Sequence, residues 1–426
     1  MLHRRRFASF ILGSGLWLIT LALAGLGAAS ANRLEVWDWW GRGTELSKAW
    51  FEHVEAEFKA RYPDVELEYV HVSGTTALYD RLVAAAAAGV SPDVTQISVA
   101  FARGLYEAGL LLPLNDYIAK TPELQMDQFI PVAPIFNQKD GIIYGIPHNI
   151  DANALLYNVD AFEEAGLDAS VYAIDSWETF KTYAQRLTRH SSTGDVIRAG
   201  YDASVSMLSF QNWLYANGGN FYNEDYTALE VASDAGIEAL EFLVNLRMLG
   251  QVLPPGTGYP LASGRTAIYL GGTWDNHHLH NEAPDMRFRM TSLPPGPRST
   301  QRAVTGWVNM MAIPRGAKNP DLAWEYLKYY TGLQGQIDIL LVHRRASAPR
   351  YDLYTTPEWA QAVAQFPYLE TLPEIYQVAR PYPFVKYADL SSIFSPLMSQ
   401  VANGQLAPRQ ALEEAQRRGS LVLGEN

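Results

Sequence analysis

The sequence predicts an α/β protein with two domains. Its 426 residues are more than a single domain usually contains. Strand-like and helix-like segments alternate in the order β-α-β-α over the first part of the chain, which is typical of a largely parallel sheet covered by helices. Ligands of such sheets bind outside the carboxyl ends of the strands. Side chains that follow predicted strands are therefore the first candidates for a binding site.

Residues 1–31 have the pattern of a secretory signal sequence. Three arginines at positions 4–6 precede a nearly continuous apolar stretch, and a small-residue cleavage site ends at Ala31. We expect cleavage after Ala31. A transmembrane anchor is the alternative for an apolar stretch of this length. The arginines also resemble a twin-arginine signal, so the sequence leaves the export route open.

The composition excludes several classes of site and partner. The chain has no cysteine, which excludes disulfides, thiolate metal sites and a lipid anchor on cysteine. An exported protein without such an anchor is expected in the periplasm of a Gram-negative bacterium. The formal net charge of −12 argues against nucleic acid and anionic membrane surfaces as partners.

The first part of the chain contains three strand–helix units. Alternating apolar residues mark the strands, and apolar residues at helical spacing mark the helices. Pro63, Gly89 and Gly109 are expected to end the three helices. The expected strands span 33–38, 65–72 and 93–98, and the expected helices span 45–61, 76–88 and 101–108.

Beyond residue 140 the pattern is less regular. Capping residues indicate where helices begin, and proline at the first helical position supports three of these starts. The expected strands span 153–158 and 267–270, with an extended stretch at 141–147. One expected helix is capped by Asp175 or Ser176 and runs to about 189, a second starts at Ser233 or Asp234 and runs to 249, and the last spans 408–417. Two more begin at 320 and 357.

Trp274 is the most informative single residue. It follows a strand-like apolar run and two glycines, and Asp275 comes directly after it. Glycine lets a backbone turn sharply and approach a ligand closely. A tryptophan in this place can present its flat face to the C–H face of a sugar, within an apolar pocket that holds a few polar groups. The alternative is that Trp274 belongs to the core.

Aromatic and polar residues also follow two of the first three strands. Trp39 and Trp40 come after the first strand, and we expect one to face a cleft and the other the core. Gln96 and Ser98 close the third strand, where Ser98 either contacts a ligand or caps the next helix. Four other tryptophans have apolar neighbours at helical spacing and are expected in the core: Trp50, Trp177, Trp324 and Trp359.

No enzyme motif stands out. The chain lacks a Gly-x-Ser-x-Gly turn, a His-Glu-x-x-His pair and a phosphate-binding Gly-Lys-Ser/Thr loop. A glycoside hydrolase needs only two carboxylates at a suitable separation, so residue types alone leave that alternative open. At His277, His278 and His280 we expect incidental affinity for metal rather than a native metal site, because nothing nearby fixes the ligand geometry. We expect no catalytic residue, no metal and no cofactor.

A series of short motifs runs along nearly the whole chain after residue 31. Each motif is weak alone, whereas their order and spacing together are specific. They include Val36-Trp-Asp-Trp-Trp-Gly41, Gly89-Val-Ser-Pro-Asp-Val94, Glu107-Ala-Gly-Leu-Leu-Leu-Pro-Leu-Asn115, Tyr144-Gly-Ile-Pro147, Phe162-Glu-Glu-Ala-Gly-Leu167, Ala216-Asn-Gly-Gly219, Ser263-Gly-Arg-Thr-Ala267 and Gly306-Trp-Val-Asn-Met-Met-Ala-Ile-Pro314. In these motifs the chain resembles the extracellular solute-binding proteins of carbohydrate ABC transporters, the maltose-binding-like group.

This resemblance implies a periplasmic-binding-protein fold. Two α/β lobes, each a mostly parallel sheet flanked by helices, would be joined by crossing hinge strands. Lobe one would contain 32–147 and 268–314, and lobe two 148–267 and 315–426. A carbohydrate would bind between the lobes, and the closed monomer would dock on the permease subunits of an ABC transporter in the inner membrane. No bond of the ligand would be broken, so the resemblance implies a binding protein and not an enzyme.

The resemblance also implies roles for individual residues. Trp274 matches the stacking tryptophan of the family. Asp151 lies in the crossover, where the family often places an acid that binds sugar hydroxyls, and a salt bridge within the crossover is the alternative. Trp307 at a second crossover either stacks on the ligand or packs. Arg345 lies where the family has a loop that lines the cleft, although a surface charge is the commoner explanation. The full set of expected ligand-binding residues is Trp39, Trp40, Ser98, Asp151, Trp213, Trp274, Asp275, Trp307 and Arg345.

The identity of the ligand stays open within this family. The density of tryptophan at strand ends favours a di- or trisaccharide. Asp38, Asp151 and Asp275 lie near tryptophans and keep a polyamine as an alternative. Glycerol phosphate is a further alternative, which would need several cationic side chains at the cleft.

Overall fold

The computed structural model describes residues 33–343 and 347–424. The predicted signal sequence and Arg345 lie outside these residues. Strands and helices alternate along the described chain, and ten strands are connected by hydrogen bonds into one sheet. The α/β class predicted from the sequence is therefore confirmed.

The described strands form one large sheet and one small hairpin. They are β1 (Arg33–Asp38), β2 (Glu66–His71), β3 (Val94–Ile97), β4 (Gln138–Lys139), β5 (Ile142–Ile143), β6 (Ile146–Asn158), β7 (Arg189–His190), β8 (Val196–Tyr201), β9 (Thr266–Gly272), β10 (Phe288–Thr291), β11 (Val304–Ala312) and β12 (Ala379–Pro381). The large sheet has the order β2-β1-β3-β11-β6-β9-β8-β7. In addition, β10 pairs with β6 and β12 pairs with β11, while β4 and β5 pair only with each other.

Helices cover the sheet and fill the connections. They are α1 (Glu45–Arg61), α2 (Thr75–Ala88), α3 (Val99–Glu107), α4 (Asn115–Ile118), α5 (Pro134–Asn137), α6 (Val159–Glu164), α7 (Trp177–Leu187), α8 (Met207–Ala216), α9 (Asp234–Met248), α10 (Asp275–Glu282), α11 (Pro320–Thr331), α12 (Leu333–Asp338), α13 (Pro357–Gln365), α14 (Leu372–Gln377), α15 (Tyr387–Ala402) and α16 (Pro408–Gly424). A π-helical turn at Ile339–His343 extends α12. No helix in the described part of the chain is long and apolar enough to cross a membrane.

Two strands cross between the halves of the molecule. The first half of β6 pairs with β11, and its second half, from Asn153 onward, pairs with β9. The strand β11 begins beside β12 and ends beside β3. We call the half with β1, β2 and β3 lobe one, and the half with β8, β9 and β10 lobe two. The two lobes are thus joined by crossing strands, as predicted.

The sheets of the two lobes differ in strand direction. In lobe one, β1 pairs in parallel with both β2 and β3, as the β-α-β-α pattern predicts. In lobe two, β8 and β9 are parallel, whereas β6, β10 and β7 pair antiparallel to their neighbours. The strand β6 enters lobe two from the opposite lobe, so it runs against β9. The sheet of lobe two is therefore mixed.

The strand pairing departs from the predicted lobe boundaries at two places. The boundary between 267 and 268 falls within β9, which pairs along its length with strands of lobe two. Residues 320–343 were expected in lobe two, yet they pack on α1 of lobe one. There Tyr326 contacts Phe58 edge to face at a ring distance of 5.6 Å. An apolar strand or helix pattern does not reveal which sheet the element joins, so these partners could not be derived locally.

Most predicted elements are confirmed, with small shifts at their ends. The first strand and first helix have the predicted bounds. Ser176, Ser233 and Thr356 each accept a backbone N–H in the first turn of α7, α9 and α13, as N-caps do. The predicted strand 153–158 is longer, because β6 begins at Ile146. The last helix continues past 417 to Gly424.

The four tryptophans expected in the core are buried there. Trp50 has no exposed surface, and Trp177, Trp324 and Trp359 are at most 7% exposed. Trp50 lies within α1, and its ring contacts Tyr330 of α11 edge to face at 5.6 Å. Helical spacing of apolar neighbours was therefore sufficient to identify these core residues.

Candidate ligand-binding cleft

The centre of the crossing strands carries polar and aromatic side chains on one face. Asp151 lies opposite Trp307, and Asn149 lies opposite Asn309; alternate residues of a strand share a face. Asn309 donates from Nδ2 to Oδ1 of Asn149 at 3.2 Å, and Asn149 donates from Nδ2 to Oδ2 of Asp151 at 2.9 Å. This series of amides orients the carboxylate. We call these four residues the cleft face.

Four aromatic rings extend from the cleft face into lobe two. The ring of Trp307 lies 5.3 Å from Trp274 and 5.2 Å from Tyr382, with tilted planes. Tyr387 follows at 5.1 Å from Tyr382. Aromatic pairs at such distances attract each other beyond simple burial. We call these four rings the aromatic wall. All four are only partly buried, and one of them, Trp307, is the strand partner of Asp151.

The turn after β9 holds Trp274 in place. Gly272 lies directly under the indole, since a Cβ at this position would be 2.2 Å from the Trp274 ring. The Oδ2 atom of Asp275 accepts the backbone N–H of Gly272 at 2.8 Å, and Asp275 is only 5% exposed. Burial, the nearby charge of Asp275 and a hydrogen bond with it all raise the pKa of Tyr259. Asp275, expected to bind ligand, thus has a structural role in the turn.

A similar turn after β1 holds Trp39 and Trp40. Oδ1 of Asp38 accepts the N–H of Gly41 at 2.7 Å, and Oε1 of Gln96 accepts the N–H of Trp39 at 3.0 Å. Gly41 has a φ of 63° and lies against the ring of His71. Burial raises the pKa of Asp38, and the hydrogen bond from Gly41 and the neighbouring His71 oppose this rise. The ends of β1 and β3 therefore act together to fix one turn.

The rings of Trp39 and Trp40 lie against histidines. Trp40 stacks on His343 at a ring distance of 5.4 Å and lies 5.1 Å from His148. Trp39 lies 6.2 Å from the same His148. Nε2 of His343 is 3.2 Å from the hydroxyl of Ser47. Both tryptophans are half-buried, so neither is a plain core residue, and which of them meets a ligand stays a prediction.

Ser98 lies at the N-cap position of α3 without capping it. Its side chain makes no hydrogen bond to the first turn of the helix. Ser98 instead lines a cavity of about 10 Å³ together with Trp39, Tyr79 and Phe101, which is about the space of one water molecule. The next residue, Val99, donates its N–H to Oδ1 of Asn309 at 3.4 Å. The end of β3 therefore adjoins the cleft face.

Trp213 was expected to contact ligand, and the structure corrects this. It has no exposed surface and lies in the core of lobe two. Its ring packs against Phe180 at 5.0 Å and Phe242 at 4.9 Å, and its Nε1 donates to the hydroxyl of Tyr201 at 3.4 Å. Phe180 and Phe242 belong to helices that are distant in sequence. Proximity to a glycine turn was therefore a misleading signal.

Two further predictions fall outside what the structure describes. Arg345 is not among the described residues, and the side chains of His277, His278 and His280 are not described either. Among the side chains that are described, no three histidine or carboxylate groups converge as metal ligands would.

Several residues of the site were not identified from the sequence. Tyr382 and Tyr387 flank a Pro-Phe-Val-Lys segment that does not end a long strand, so the strand-end criterion passes over them. His343 ends a π-helical turn, which carries no sequence pattern of its own. Asn149 and Asn309 could have been found, because they lie two residues from Asp151 and Trp307 on the same strands.

Comparison with known proteins identifies relatives of the whole described molecule. Residues 40–337, more than half of the chain, match the family of bacterial extracellular solute-binding proteins. The arabinooligosaccharide-binding protein of Halalkalibacterium halodurans is 25% identical over 346 residues, which is 77% of this chain and 73% of that protein.

Solved structures share the fold over nearly the full length. The cyclic α-maltosyl-1,6-maltose binding protein of Arthrobacter globiformis superposes with a TM-score of 0.79 at 20% identity, covering 92% of this chain and 99% of that one. An ABC transporter solute-binding protein of Thermotoga lettingae, bound to α-D-tagatose, superposes with a TM-score of 0.73 at 25% identity, covering 92% and 100%. These likenesses confirm the two-lobed fold.

Proposed function

Because the chain belongs to the family of bacterial extracellular solute-binding proteins, we propose that it binds a di- or trisaccharide between its lobes. The protein makes and breaks no bond in the sugar, and it delivers the sugar to the permease of an ABC transporter. The observation that carries this proposal is the aromatic wall beside Asp151, whose carboxylate is oriented by Asn149.

The chemistry of the cleft suits an uncharged sugar. Ring faces of Trp274, Trp307 and Tyr382 are apolar platforms for sugar C–H groups. An ionised carboxylate accepts hydrogen bonds from hydroxyls, and such charge-assisted bonds are the strong ones. The amides of Asn149 and Asn309 add further polar groups on the cleft face. Apolar surface with a few placed polar groups is the usual composition of a small-molecule site.

The aromatic wall is long enough to contact more than one sugar ring. Three successive ring contacts of 5.1 to 5.3 Å connect Trp274, Trp307, Tyr382 and Tyr387. A monosaccharide covers one or two such rings. Two of the similar proteins have names that specify oligosaccharides, and a third was solved with a monosaccharide. A di- or trisaccharide therefore fits the wall better than a single ring does.

The roles of the acids weigh against the competing ligands. Asp38 and Asp275 each accept a backbone amide in a turn, which gives both carboxylates a structural use. A polyamine would need several acids free to face it, and a glycoside hydrolase would need two. Of these three acids, Asp151 is the one on the cleft face. Glycerol phosphate would call for several cations at the cleft, whereas the cleft face and aromatic wall, among the residues that the structure describes, consist of amides, one acid and rings; Arg345 lies outside those residues.

The place of action follows from the family and the N-terminal pattern. We propose export through the signal at residues 1–31, cleavage after Ala31, and a monomer in the periplasm. Mass spectrometry of the protein recovered from the periplasmic fraction gives the mature N-terminus directly. An N-terminus other than residue 32 contradicts the proposed cleavage site, and retention in the membrane fraction contradicts the soluble periplasmic form.

A thermal-shift screen of residues 32–426 tests the proposed ligand class. The panel holds mono-, di- and trisaccharides, putrescine, glycerol phosphate and zinc. A ligand that binds only the folded state stabilises it by about 2.7 kcal/mol at a hundredfold excess over its Kd. We expect the largest increase in Tm with one class of di- or trisaccharide.

Two variants connect that shift to the site. Trp274→Leu should lose the ligand-induced shift, while Trp359→Leu, whose ring packs on Tyr354 and belongs to neither the cleft face nor the aromatic wall, should keep it despite a lower Tm. A shift seen only with putrescine, glycerol phosphate or zinc contradicts the sugar proposal and leaves the fold intact. Release of free sugar during incubation contradicts the binding-only proposal.

A further inference from the structure

One aromatic contact connects the lobes away from the cleft face. Phe136 of α5 and Phe384, between β12 and α15, meet edge to face at a ring distance of 5.0 Å. The helix α5 packs on α3 and on β11 in lobe one, whereas α15 packs on α8, α9 and α16 in lobe two. Both rings are less than 9% exposed. This contact therefore joins elements that belong to different lobes.

Phe384 lies on a short segment that also carries part of the aromatic wall. We call residues 381–386 the strap. Tyr382 of the strap packs on Trp307, and Phe384, two residues further, packs on Phe136. Prolines at positions 381 and 383 fix the backbone φ on either side of Tyr382. A stiff segment of six residues thus connects the sugar site with the contact between the lobes.

Lobe two holds the strap at both ends. The carbonyl of Pro381 accepts the hydroxyl of Tyr215 at 2.8 Å and Nε2 of Gln211 at 3.2 Å. The carbonyl of Val385 accepts the hydroxyl of Tyr222 at 3.0 Å. These three donors come from α8 and from the segment that follows it. Tyr382, between these ends, also donates its backbone N–H to the carbonyl of Gly306 on β11 at 3.0 Å, so the strap is held both by lobe two and by a crossing strand.

One residue of the strap and one residue that packs on it have a backbone conformation that side chains disfavour. Lys386 has a φ of 51° and Tyr226 a φ of 59°. Tyr226 packs on Phe384 at 5.3 Å, and Lys386 precedes Tyr387 of the aromatic wall. A left-handed conformation at a bulky residue persists only where its surroundings impose it. Tyr226 also donates its backbone N–H to the carbonyl of Asn223 at 3.1 Å, so a tight turn holds it against Phe384.

We propose that Phe136 and Phe384 are positioning residues of the sugar site. Together with the pairing of β12 and β11, their contact positions Tyr382 against Trp307 through the strap, and it couples that position to the arrangement of the lobes. The coupling to sugar rests on the proposed function, whereas the effect on the lobes does not. A pair of buried rings supplies enough interaction to change such an equilibrium about twofold to tenfold.

Single-molecule fluorescence between the lobes tests the contact without any sugar. The chain has no cysteine, so K59C in lobe one and E413C in lobe two provide two exposed labelling positions. Phe384→Ala and Phe136→Ala should each shift the populations of lobe distances about twofold to tenfold. The double variant should shift them no further than one single variant, because both remove the same contact.

Four further variants separate positioning from general destabilisation. Phe384→Leu and Phe136→Leu keep apolar volume without the ring and serve if the alanine variants fail to fold. Phe384→Tyr keeps the ring and should restore the wild-type populations. Phe288→Ala removes a comparable ring, stacked on Tyr368 at 4.7 Å within lobe two, and should leave the lobe distances unchanged.

The outcomes distinguish this proposal from the proposed function. Unchanged lobe distances in Phe384→Ala and Phe136→Ala overturn the positioning role, even if sugar binding is intact. An equal shift in Phe288→Ala also overturns it, since the effect would then be unspecific. For a sugar that binds, we expect each single variant to change the Kd by no more than the factor by which it changes the populations of lobe distances. The reason is that the coupling between sugar binding and the lobe arrangement is reciprocal. If no sugar binds, the proposed function fails while the distance measurement still decides the role of the pair.

Discussion

The turns that follow β1 and β9 hold tryptophans with the same groups, an aspartate carboxylate and a glycine amide. The order of these groups along the chain is reversed between the two turns. In lobe one, Asp38 precedes the tryptophans and its carboxylate accepts the amide of Gly41. In lobe two, Asp275 follows Trp274 and its carboxylate accepts the amide of Gly272. Each glycine lies against a ring that a Cβ would displace. Such a turn can therefore form at a strand end from a carboxylate, a glycine and a ring, whether the carboxylate precedes or follows the glycine in the chain.

The two turns differ in what their tryptophans pack against. Trp40 stacks on His343, which in turn is within hydrogen-bonding distance of the Ser47 hydroxyl. Trp274 meets Trp307 and, through it, the tyrosines of the aromatic wall. Lobe one thus fixes its rings through polar partners with directional bonds, whereas lobe two relies on contacts between apolar rings. We infer that lobe two supplies most of the apolar binding surface.

Trp307→Ala should have the largest effect on ligand binding. Trp307 has a ring neighbour on each side, so its loss separates Trp274 from Tyr382. Removing a central aromatic anchor commonly costs about 2 kcal/mol or more, which raises Kd about thirtyfold. Isothermal titration with the sugar found by thermal shift measures this. Trp40→Ala is the matched variant in lobe one, expected to raise Kd by about fivefold. Equal increases in Kd for Trp307→Ala and Trp40→Ala would contradict the contrast between the lobes.

Gly272→Ala should weaken binding by about tenfold. Its Cβ would lie 2.2 Å from the Trp274 ring, so the indole must leave its position. The cost of such a forced shift is typically about 1–3 kcal/mol. Titration gives the change in Kd, and urea unfolding shows whether global stability falls as well. A Kd within twofold of wild type would mean that the observed position of Trp274 does not matter for binding.

Gly41→Ala should act on stability more than on affinity. Gly41 has a left-handed φ of 63°, and alanine in that region costs about 1 kcal/mol. The ring that its Cβ would meet belongs to His71, whose side chain is 44% exposed and free to move aside. We expect a lower midpoint in urea and a Kd within about threefold of wild type. A tenfold loss of affinity would show that the two turns are equally rigid.

Asp38→Asn should have the smallest effect of these variants, a change in how the free energy of unfolding depends on pH. Burial raises the pKa of Asp38, so the folded state binds its proton more tightly than the unfolded state does. The resulting stabilisation is complete below the ordinary pKa of about 4 and is lost as pH rises through the raised value. Relative to Asp38→Asn, wild type should therefore be more stable at pH 4 than at pH 7. Urea unfolding at both values measures this, and the opposite trend would refute it.

Local sequence signals were sufficient for most elements. Apolar periodicity and capping residues determine where β1, α1, α7 and α9 lie, because both act within one or two turns of the chain. The strand-end criterion likewise singled out Trp274 and the pair at 39–40, whose contacts with a ligand stay a prediction. These are properties of neighbouring residues, which a sequence displays directly.

Contacts between distant segments were the part that could not be predicted. Trp213 resembled a site residue because a glycine turn follows it, yet Phe180 and Phe242 enclose it in the core. Tyr382 joins the aromatic wall only because β12 pairs with the start of β11. The apolar run of β9 likewise does not indicate which strands pair with it. In each case the deciding neighbour is far away in sequence.

The crossing of β11 has a consequence for how the chain acquires its fold. Lobe one contains the N-terminal strands, yet its sheet is completed by β11, where Met310 pairs with Ile97 about 200 residues further along the chain. Contacts of such high sequence separation slow folding, since a long loop must close before they form. An N-terminal fragment ending before β11 lacks the strand that separates β3 from β6, and should not reach a native core. Folding of lobe one must therefore wait for residues that are synthesised after most of lobe two.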